Sequence, residues 1–426
     1  MVANEQAKGD YEMAGSTRFN ILIVGGGTAG ISVASSLARR QGNRALSIAV
    51  IEPTDDHYYQ PAFTLVGAGV CSLDRTRRGE GMLMPRGAHW IRDKAATFDP
   101  ENNVVTLAGG DSIGYDYLVV CPGLSLDWLK IQGASEWLGS NGVCSNYDPR
   151  HVEYSWKCLQ GLKPGDKALF TQAPLPFKCP GAPQKMAYLS ADYLRKKGIN
   201  CDLHFLTHAP GMFAVPLFAK ELVKVAARHK IKVHFEHNLV AIDGENRKAP
   251  FEVVGGENAG STVEIEFDML HVTPPQSPPA EIQSSPLANE GGFIDLDQGT
   301  LRHTRFGNVF GLGDAGSTPN SKTAAAVRKQ SPVVVRNLLQ LMDGGSLNDS
   351  YDGYASCPLT TSFGKVLMAE FCYGGKVTPT FPLDPRKERW SYWWIKTTGL
   401  PFFYWNYMLK GREWFLKHNV DFVDPT

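Results

Sequence analysis

None of the eight cysteines is spaced C-x-x-C from another, and no C-x-x-C-H stretch is present. Covalent haem attachment is thereby excluded. Charge of one sign is not in excess either, since 43 Lys and Arg balance 43 Asp and Glu. A nucleic-acid partner would need a basic surplus, so none is expected. The start of the chain lacks a targeting pattern. Glu5, Asp10 and Glu12 stand against Lys8 and Arg18, unlike a signal peptide or an acid-poor transit peptide, and residues 1–18 read as a disordered leader. Without a secretory signal, a framework of disulfides is not expected, and most of the thiols should be buried and structural. Long apolar runs are also scarce. The uncharged stretch Ile21–Ala38 has the length of a membrane span but holds Gly25, Gly26, Gly27 and Gly30. It reads as a buried strand, a turn and a helix start.

What is present is a large core. At 426 residues and 43% hydrophobic composition, the chain has room for two to three domains. The continuous apolar run Ile21–Val24 predicts a fully buried parallel strand. A helix over Ile31–Arg40 and a strand over Ser47–Ile51 follow. Tyr117–Cys121 is another buried strand. Lys167–Thr171 opens a second strand–turn–helix unit, with its helix over Pro183–Lys197 and Gly198 as the stop signal. Strands near Asp202–Thr207 and Ile231–Glu236 come next. Five prolines between residues 273 and 288 mark a crossover loop. A strand over Asn308–Asp314 and a helix over Ser321–Leu341 complete the pattern.

Gly25-x-Gly27-x-x-Gly30 lies between the first strand and its helix. These glycines let the backbone approach a pyrophosphate, and the helix N-terminus supplies N–H groups and a favourable dipole. Glu52, ending the next strand, is placed to accept a hydrogen bond from a ribose hydroxyl. The distant Val309-Phe-Gly-Leu-Gly-Asp314 resembles the second fingerprint of FAD enzymes with two dinucleotide folds. That resemblance makes the cofactor FAD and gives Asp314 the ribityl chain. The helix after it would aim its N-terminus at the flavin. There Lys322 either stabilises negative charge on reduced flavin or is a solvated helix-start lysine.

Where a second glycine loop for NAD(P)H would sit, the chain reads Thr171-Gln-Ala-Pro-Leu-Pro-Phe-Lys-Cys179-Pro-Gly-Ala-Pro-Gln-Lys185. Pro174, Pro176, Pro180 and Pro183 have no N–H to give a phosphate, so NAD(P)H is not expected as electron donor. Cys179 stands in its place, before a helix and beside Lys178 and Lys185. Helix N-termini and lysines depress a thiol's pKa, yet a buried turn thiol would fit the position as well.

Phe177–Lys185, His271–Pro279 and Tyr354-Ala-Ser-Cys357-Pro-Leu359 resemble the sulfide:quinone oxidoreductases, in particular the branch with the mitochondrial enzyme. The likeness spans about residues 20–415 and keeps the motifs in order. It implies an α/β fold of two Rossmann-like dinucleotide-binding domains, a glutathione-reductase-like flavoprotein with a C-terminal amphipathic membrane-binding tail. The expected division is 19–145 with 290–350 for FAD, 146–289 for the second domain and 351–426 for the redox cysteine and the membrane and quinone region. The resemblance also implies a redox disulfide between Cys179 and Cys357. Sulfide attacks at Cys357, leaving a persulfide there and a thiolate on Cys179, and electrons pass through FAD to a membrane quinone. No metal is required. The same likeness puts Thr28, Ala29, Gln60, Thr323, Ala324 and Ala325 against FAD, and Ala95 against the adenine through its backbone. Lys185 and Lys396 are candidate contacts for a sulfur acceptor, whether a small thiol such as glutathione, sulfite or coenzyme A, or else plain surface lysines. Phe363 and Phe371 are candidates for the quinone path.

Five of the nine tryptophans fall between residues 390 and 414, among seven Lys/Arg and two acids from Arg386 to His418. Such a segment suits a monotopic anchor, on a bacterial inner membrane or, in a eukaryote, the mitochondrial one. The other reading is an aromatic core or a homodimer interface. Three rival functions stand beside the main one. A type II NADH:quinone reductase would need the missing glycine loop. The flavoprotein subunit of a flavocytochrome sulfide dehydrogenase would not need the tail. A flavin-binding redox sensor would show no turnover.

Overall fold

The computed structural model describes residues 17–42, 44–414 and 422. Most of the expected leader, residues 1–16, lies outside the described residues, and Arg18 already opens the first strand.

That strand, Arg18–Val24, is the centre of a seven-stranded sheet. It pairs in parallel with Ile48–Ile51 on one side and Ser112–Val120 on the other. Helices cover one face of the sheet and a loop-rich layer the other, so no residue of Ile21–Val24 needs to be polar. On the first face, Thr28–Arg40 packs beside Ala324–Met342 over Ile21, Ile23 and Val50. On the second, Ile282, Leu287 and Ile294 meet Leu22, Val24 and Leu118. Ser112–Val120 is longer than the apolar run suggested. Its first half pairs antiparallel with Val104–Leu107 and its second half in parallel with Val309–Gly311. The FAD-type domain is therefore closed by a strand from far along the chain.

The second domain is a five-stranded parallel sheet in the order Val143–Cys144, Met269–His271, Lys167–Gln172, Asp202–Thr207, Lys232–His234. Its helix Ala182–Lys197 stops at Gly198, whose φ of +71° and N–H bonds to Leu194 and Arg195 carbonyls close the last turn. A three-stranded antiparallel sheet, His237–Leu239, Lys248–Val253 and Thr262–Glu266, has no counterpart in the sequence reading.

Helix boundaries differ from expectation in places. The helix after Asp314 starts at Ala324 rather than Ser321, because Thr323 is extended and caps it by accepting from the Ala326 N–H. It runs through Pro332 without ending. In the C-terminal region, Trp390–Trp394, a π-helical Ile395–Gly399 and Leu400–Asn406 join end to end. Pro401 has no N–H for the Thr397 carbonyl, and the helix widens to π geometry just ahead of it. Before this helix, the hairpin Ala355–Ser362 with Lys365–Phe371 packs on Ala182–Lys197. The tail is thus built into both domains.

Gly30 shows how tightly the first unit is drawn together. A Cβ there would lie 1.8 Å from the Gly25 carbonyl oxygen. Gly30→Ala should therefore lower stability by about 1–3 kcal/mol or more, read as a shift in the urea unfolding midpoint. An unchanged midpoint would show that the turn can relax around a methyl group.

Candidate active site

A cavity of about 1070 Å³ runs from the glycine turn to Cys179. Gly25, Gly27, Thr28, Ala29 and Glu52 line one end, and Asp314, Lys322, Thr323, Ala324 and Ala325 line its middle with Gln60. A Cβ on Gly27 would meet nothing, so the turn leaves open space where a phosphate would lie. Gly30 is absent from the wall and serves the helix–strand approach described above. The Glu52 carboxylate is oriented by the Gly26 N–H at 2.8 Å and the Thr54 N–H at 2.9 Å.

The far end is built by three segments. After the strand Lys167–Gln172, the proline-rich turn brings Cys179 to the cavity wall with φ at +52°, a left-handed conformation unusual for a residue with a side chain. Its N–H donates to the Lys322 carbonyl at 2.8 Å, tying the second domain to the FAD-type domain. From the helix Ala182–Lys197, the buried Lys185 ammonium donates to Cys179 Sγ at 3.2 Å. The hairpin strand Ala355–Ser362 brings Cys357, fully buried and off the cavity wall, into hydrogen-bonding contact with Cys179. Gly181 permits that approach, since a Cβ on it would lie 2.4 Å from Leu359 Cδ2.

Electrostatics separate the two thiols. The hydrogen bond from Cys357 holds Cys179 well below the ordinary thiol pKa, helped by Lys185 and opposed by burial. Cys357 is pushed up by the same hydrogen bond and by burial. Burial works to neutralise Lys185, but the charge of the two sulfurs outweighs it and keeps the ammonium above its usual value. Lys396, buried on the π-helical segment with Nζ 3.3 Å from the Pro61 carbonyl, is lowered to about 7 by burial and by Lys185. Lys322 is not solvated. Its Nζ donates to the Gly316 and Thr318 carbonyls at 2.6 and 3.0 Å, and burial lowers it to about 8. A thiolate beside a protonated thiol and a buried ammonium can exchange two electrons as a dithiol–disulfide couple.

Three expected contacts fall elsewhere. Ala95, expected to meet the adenine through its backbone, begins the strand Ala95–Asp99 and pairs with Leu107; it does not line the cavity, and its side chain is in the core. Phe371 alternates to the opposite face from Glu370, which does line the cavity, and packs edge-on against Phe213 at 5.8 Å. Phe363 lies against Trp393 at 6.1 Å, under the Lys196 ammonium. The apolar wall near Lys396 is formed instead by Trp394, Leu400 and Phe403.

One group of residues has no signal in the sequence. Glu80 Oε2 meets His57 Nδ1 at 3.0 Å, His57 Nε2 meets the Tyr404 hydroxyl at 2.6 Å, and that hydroxyl meets Thr28 Oγ1 at 2.8 Å. The chain links the C-terminal helix to the glycine turn beneath the cavity. Its four members come from separate stretches of the chain, so no local pattern could mark them.

The sequence profile of the pyridine nucleotide-disulphide oxidoreductase family matches residues 19–151. The chain is 43% identical to the mitochondrial sulfide:quinone oxidoreductase of Dictyostelium discoideum, over 94% of this chain and 88% of that protein. With the mitochondrial sulfide:quinone oxidoreductase of Mus musculus it shares 40% identity, over 92% and 87%. The chain belongs to the sulfide:quinone oxidoreductase family. The fold agrees with the solved sulfide:quinone oxidoreductase of Aquifex aeolicus, with a TM-score of 0.75 at 21% identity over 93% of this chain and 92% of that one.

The cofactor of this family is FAD, and the site fits it. The cavity has the open glycine cradle at one end. Among the described residues, Glu80 Oε1, Thr64 Oγ1 and Asn146 Oδ1 are buried on its wall without a protein partner, as groups awaiting a polar ligand would be. Lys185→Met should raise the Cys179 pKa, since the mutation removes a stabilising cation from the thiolate. The ascending limb of Cys179 alkylation against pH, followed by mass spectrometry in the reduced protein, should move to higher pH. An unmoved limb would show that Lys185 does not hold the thiolate.

Proposed function

We propose that this protein oxidises sulfide by two electrons to sulfane sulfur and passes the electrons to a membrane quinone, with Cys179 and Cys357 as its redox pair. The observation that carries this is the contact of those thiols at the end of the cofactor cavity, where Lys185 favours the anion of one of them. In the oxidised pair, HS⁻ attacks the Cys357 sulfur and the S–S electron pair leaves onto Cys179. Lys185 then carries the charge of that thiolate. Cys357 is fully buried, so the first sulfur it receives must arrive as something as small as HS⁻. An acceptor nucleophile takes the outer sulfur, and the disulfide re-forms as two electrons leave the thiols. FAD supplies the two-electron station between sulfur and quinone. Lys185 and Lys396, both on the cavity wall, suit an anionic acceptor such as sulfite, a small thiol or coenzyme A.

The NADH-oxidising alternative loses its donor site, since the turn 173–181 gives its space to Cys179 and carries three prolines. On anaerobic addition to the FAD-loaded protein, sulfide alone should bleach the flavin band and a short-chain quinone should restore it. NADH should do nothing. Cys179→Ser and Cys357→Ser should each lower sulfide-dependent quinone reduction by at least about a hundredfold. Bleaching by NADH and not by sulfide would reverse the assignment.

No helix among the described residues is long and apolar enough to cross a membrane. Trp390, Trp394 and Phe402 on the C-terminal helix are 68%, 52% and 54% exposed, with Arg386, Lys387, Arg389, Lys410 and Arg412 nearby in sequence. We read this face as a peripheral attachment to a quinone-bearing inner membrane, mitochondrial as in the relatives named above, with the quinone entering past Trp394, Leu400 and Phe403. Trp390→Ser with Phe402→Ser should reduce co-sedimentation with anionic vesicles while short-chain quinone turnover in detergent persists. Undiminished co-sedimentation would leave this face for an interface between two copies.

A further inference from the structure

Two cysteine pairs among the described residues have their thiols in mutual hydrogen-bonding contact. One is Cys179 with Cys357. The other is Cys144 with Cys158, and the reaction proposed above does not use it. Cys144 ends the short strand Val143–Cys144 and is fully buried. Cys158 lies on the helix Val152–Gly161, which packs on that strand, and is partly exposed. One helical turn before Cys158, on the same face, is Tyr154. The Gly142 N–H donates to the Tyr154 hydroxyl oxygen at 3.2 Å, and that hydroxyl helps hold the Cys158 pKa down. The pair therefore has a partly exposed member packed against a sealed one, the same division as at the cavity.

We propose that Cys144 and Cys158 form a second dithiol that takes sulfane sulfur from an inorganic polysulfide or a low-molecular-weight persulfide. Cys158 is the attacking thiol and Cys144 the resolving one. The Cys158 thiolate attacks the outer sulfur of R–S–SH, R–S⁻ leaves, and Cys158 becomes a persulfide. Cys144 then attacks the Cys158 sulfur. The Cys158–Cys144 bond forms, HS⁻ leaves and takes the Cys144 proton as H₂S. Two thiols are oxidised to one disulfide and one sulfane sulfur is reduced to sulfide. The charges agree with these roles. The hydrogen bond from Cys144 lowers the Cys158 pKa against the opposing effect of burial, with Tyr154 assisting, while burial foremost raises that of Cys144. A thiol with a depressed pKa attacks, and a protonated one waits. The sulfide-oxidising reading enters only as the source of the polysulfide; the exchange itself does not depend on it.

The site has a route to the cofactor wall. Its helix packs on Phe63–Gly67, from which Phe63 and Thr64 line the cavity. Closing the disulfide would bind that helix to the sheet one layer behind them.

The test uses FAD-loaded wild-type protein, reduced, cleared of reductant and treated anaerobically with inorganic polysulfide. Remaining thiols are alkylated after denaturation and peptides are analysed by mass without reduction. The Cys144 and Cys158 peptides should appear linked. In Cys144→Ser, Cys158 should keep one added sulfur, because nothing resolves it. In Cys158→Ser, Cys144 should be recovered as a plain alkylated thiol. Free, unmodified Cys144 and Cys158 in the wild-type digest overturn the proposal, whatever the state of Cys179 and Cys357, which reports separately on the main reaction. Added sulfur on Cys144 in Cys158→Ser would overturn the assignment of the attacking thiol.

Discussion

The contact between the Lys185 ammonium and the Cys179 sulfur is the interaction around which the site is arranged. Each group alone would be costly to hold as an ion away from water; Lys185 is buried, and Cys179 is half-buried on the cavity wall. Together they hold a thiolate at the end of the cavity. The requirement is strict, because Lys185 comes from a helix, Cys179 from the turn before it, and Cys357 from a hairpin that arrives far later in the chain. The helix Ala182–Lys197 therefore has to begin close to the turn and receive the hairpin on its side. The bond from the Cys179 N–H to the Lys322 carbonyl fixes the remaining freedom by joining the turn to the loop ahead of the flavin-facing helix. Backbone strain at Cys179, with its positive φ, persists because these contacts over-determine its position.

A change of cofactor chemistry makes its own demand on a fold. A glycine loop that bonds phosphate through N–H groups needs a backbone rich in donors. The turn here offers prolines instead and projects a sulfur into the space. Donation from a soluble nucleotide and donation from a thiol are alternatives for one volume, and the composition of nine residues decides between them.

How far the sequence reveals this depends on whether a feature leaves a local trace. The Gly25–Gly30 turn, Glu52, Asp314 and Cys179 do, because backbone approach, strand ends and missing donors are written in consecutive residues. The two strand–turn–helix units are equally plain, and the resemblance supplies the two-Rossmann architecture. Cys357 is legible only through resemblance, since its partner is brought to it by the hairpin's packing and by no spacing rule. The errors have physical reasons too. Phe371 is next to Glu370 in sequence and on the other face of the strand in space. Ala95 belongs to a strand whose pairing with Val104–Leu107 turns it away. Nothing in the sequence marks His57, Glu80 and Tyr404 as neighbours, because a hydrogen-bond chain assembled from a loop, a short helical turn and the C-terminal helix has no period. The helix start at Thr323 is a matter of one capping hydroxyl, below the resolution of apolar periodicity.

Tyr404 gives the molecule an unexpected dependence. Its single hydroxyl serves a histidine on one side and the phosphate turn on the other, while its helix also carries the exposed Trp394 and Phe402. The exposed aromatic end and the nucleotide-facing end are thus not separable modules. A C-terminal segment transplanted from another flavoprotein of this architecture would have to supply a hydroxyl at the same point in space. Without one, it would leave His57 and Thr28 facing a gap under the pyrophosphate. The C-terminal helix is held at one residue by the glycine turn at one end of the cavity.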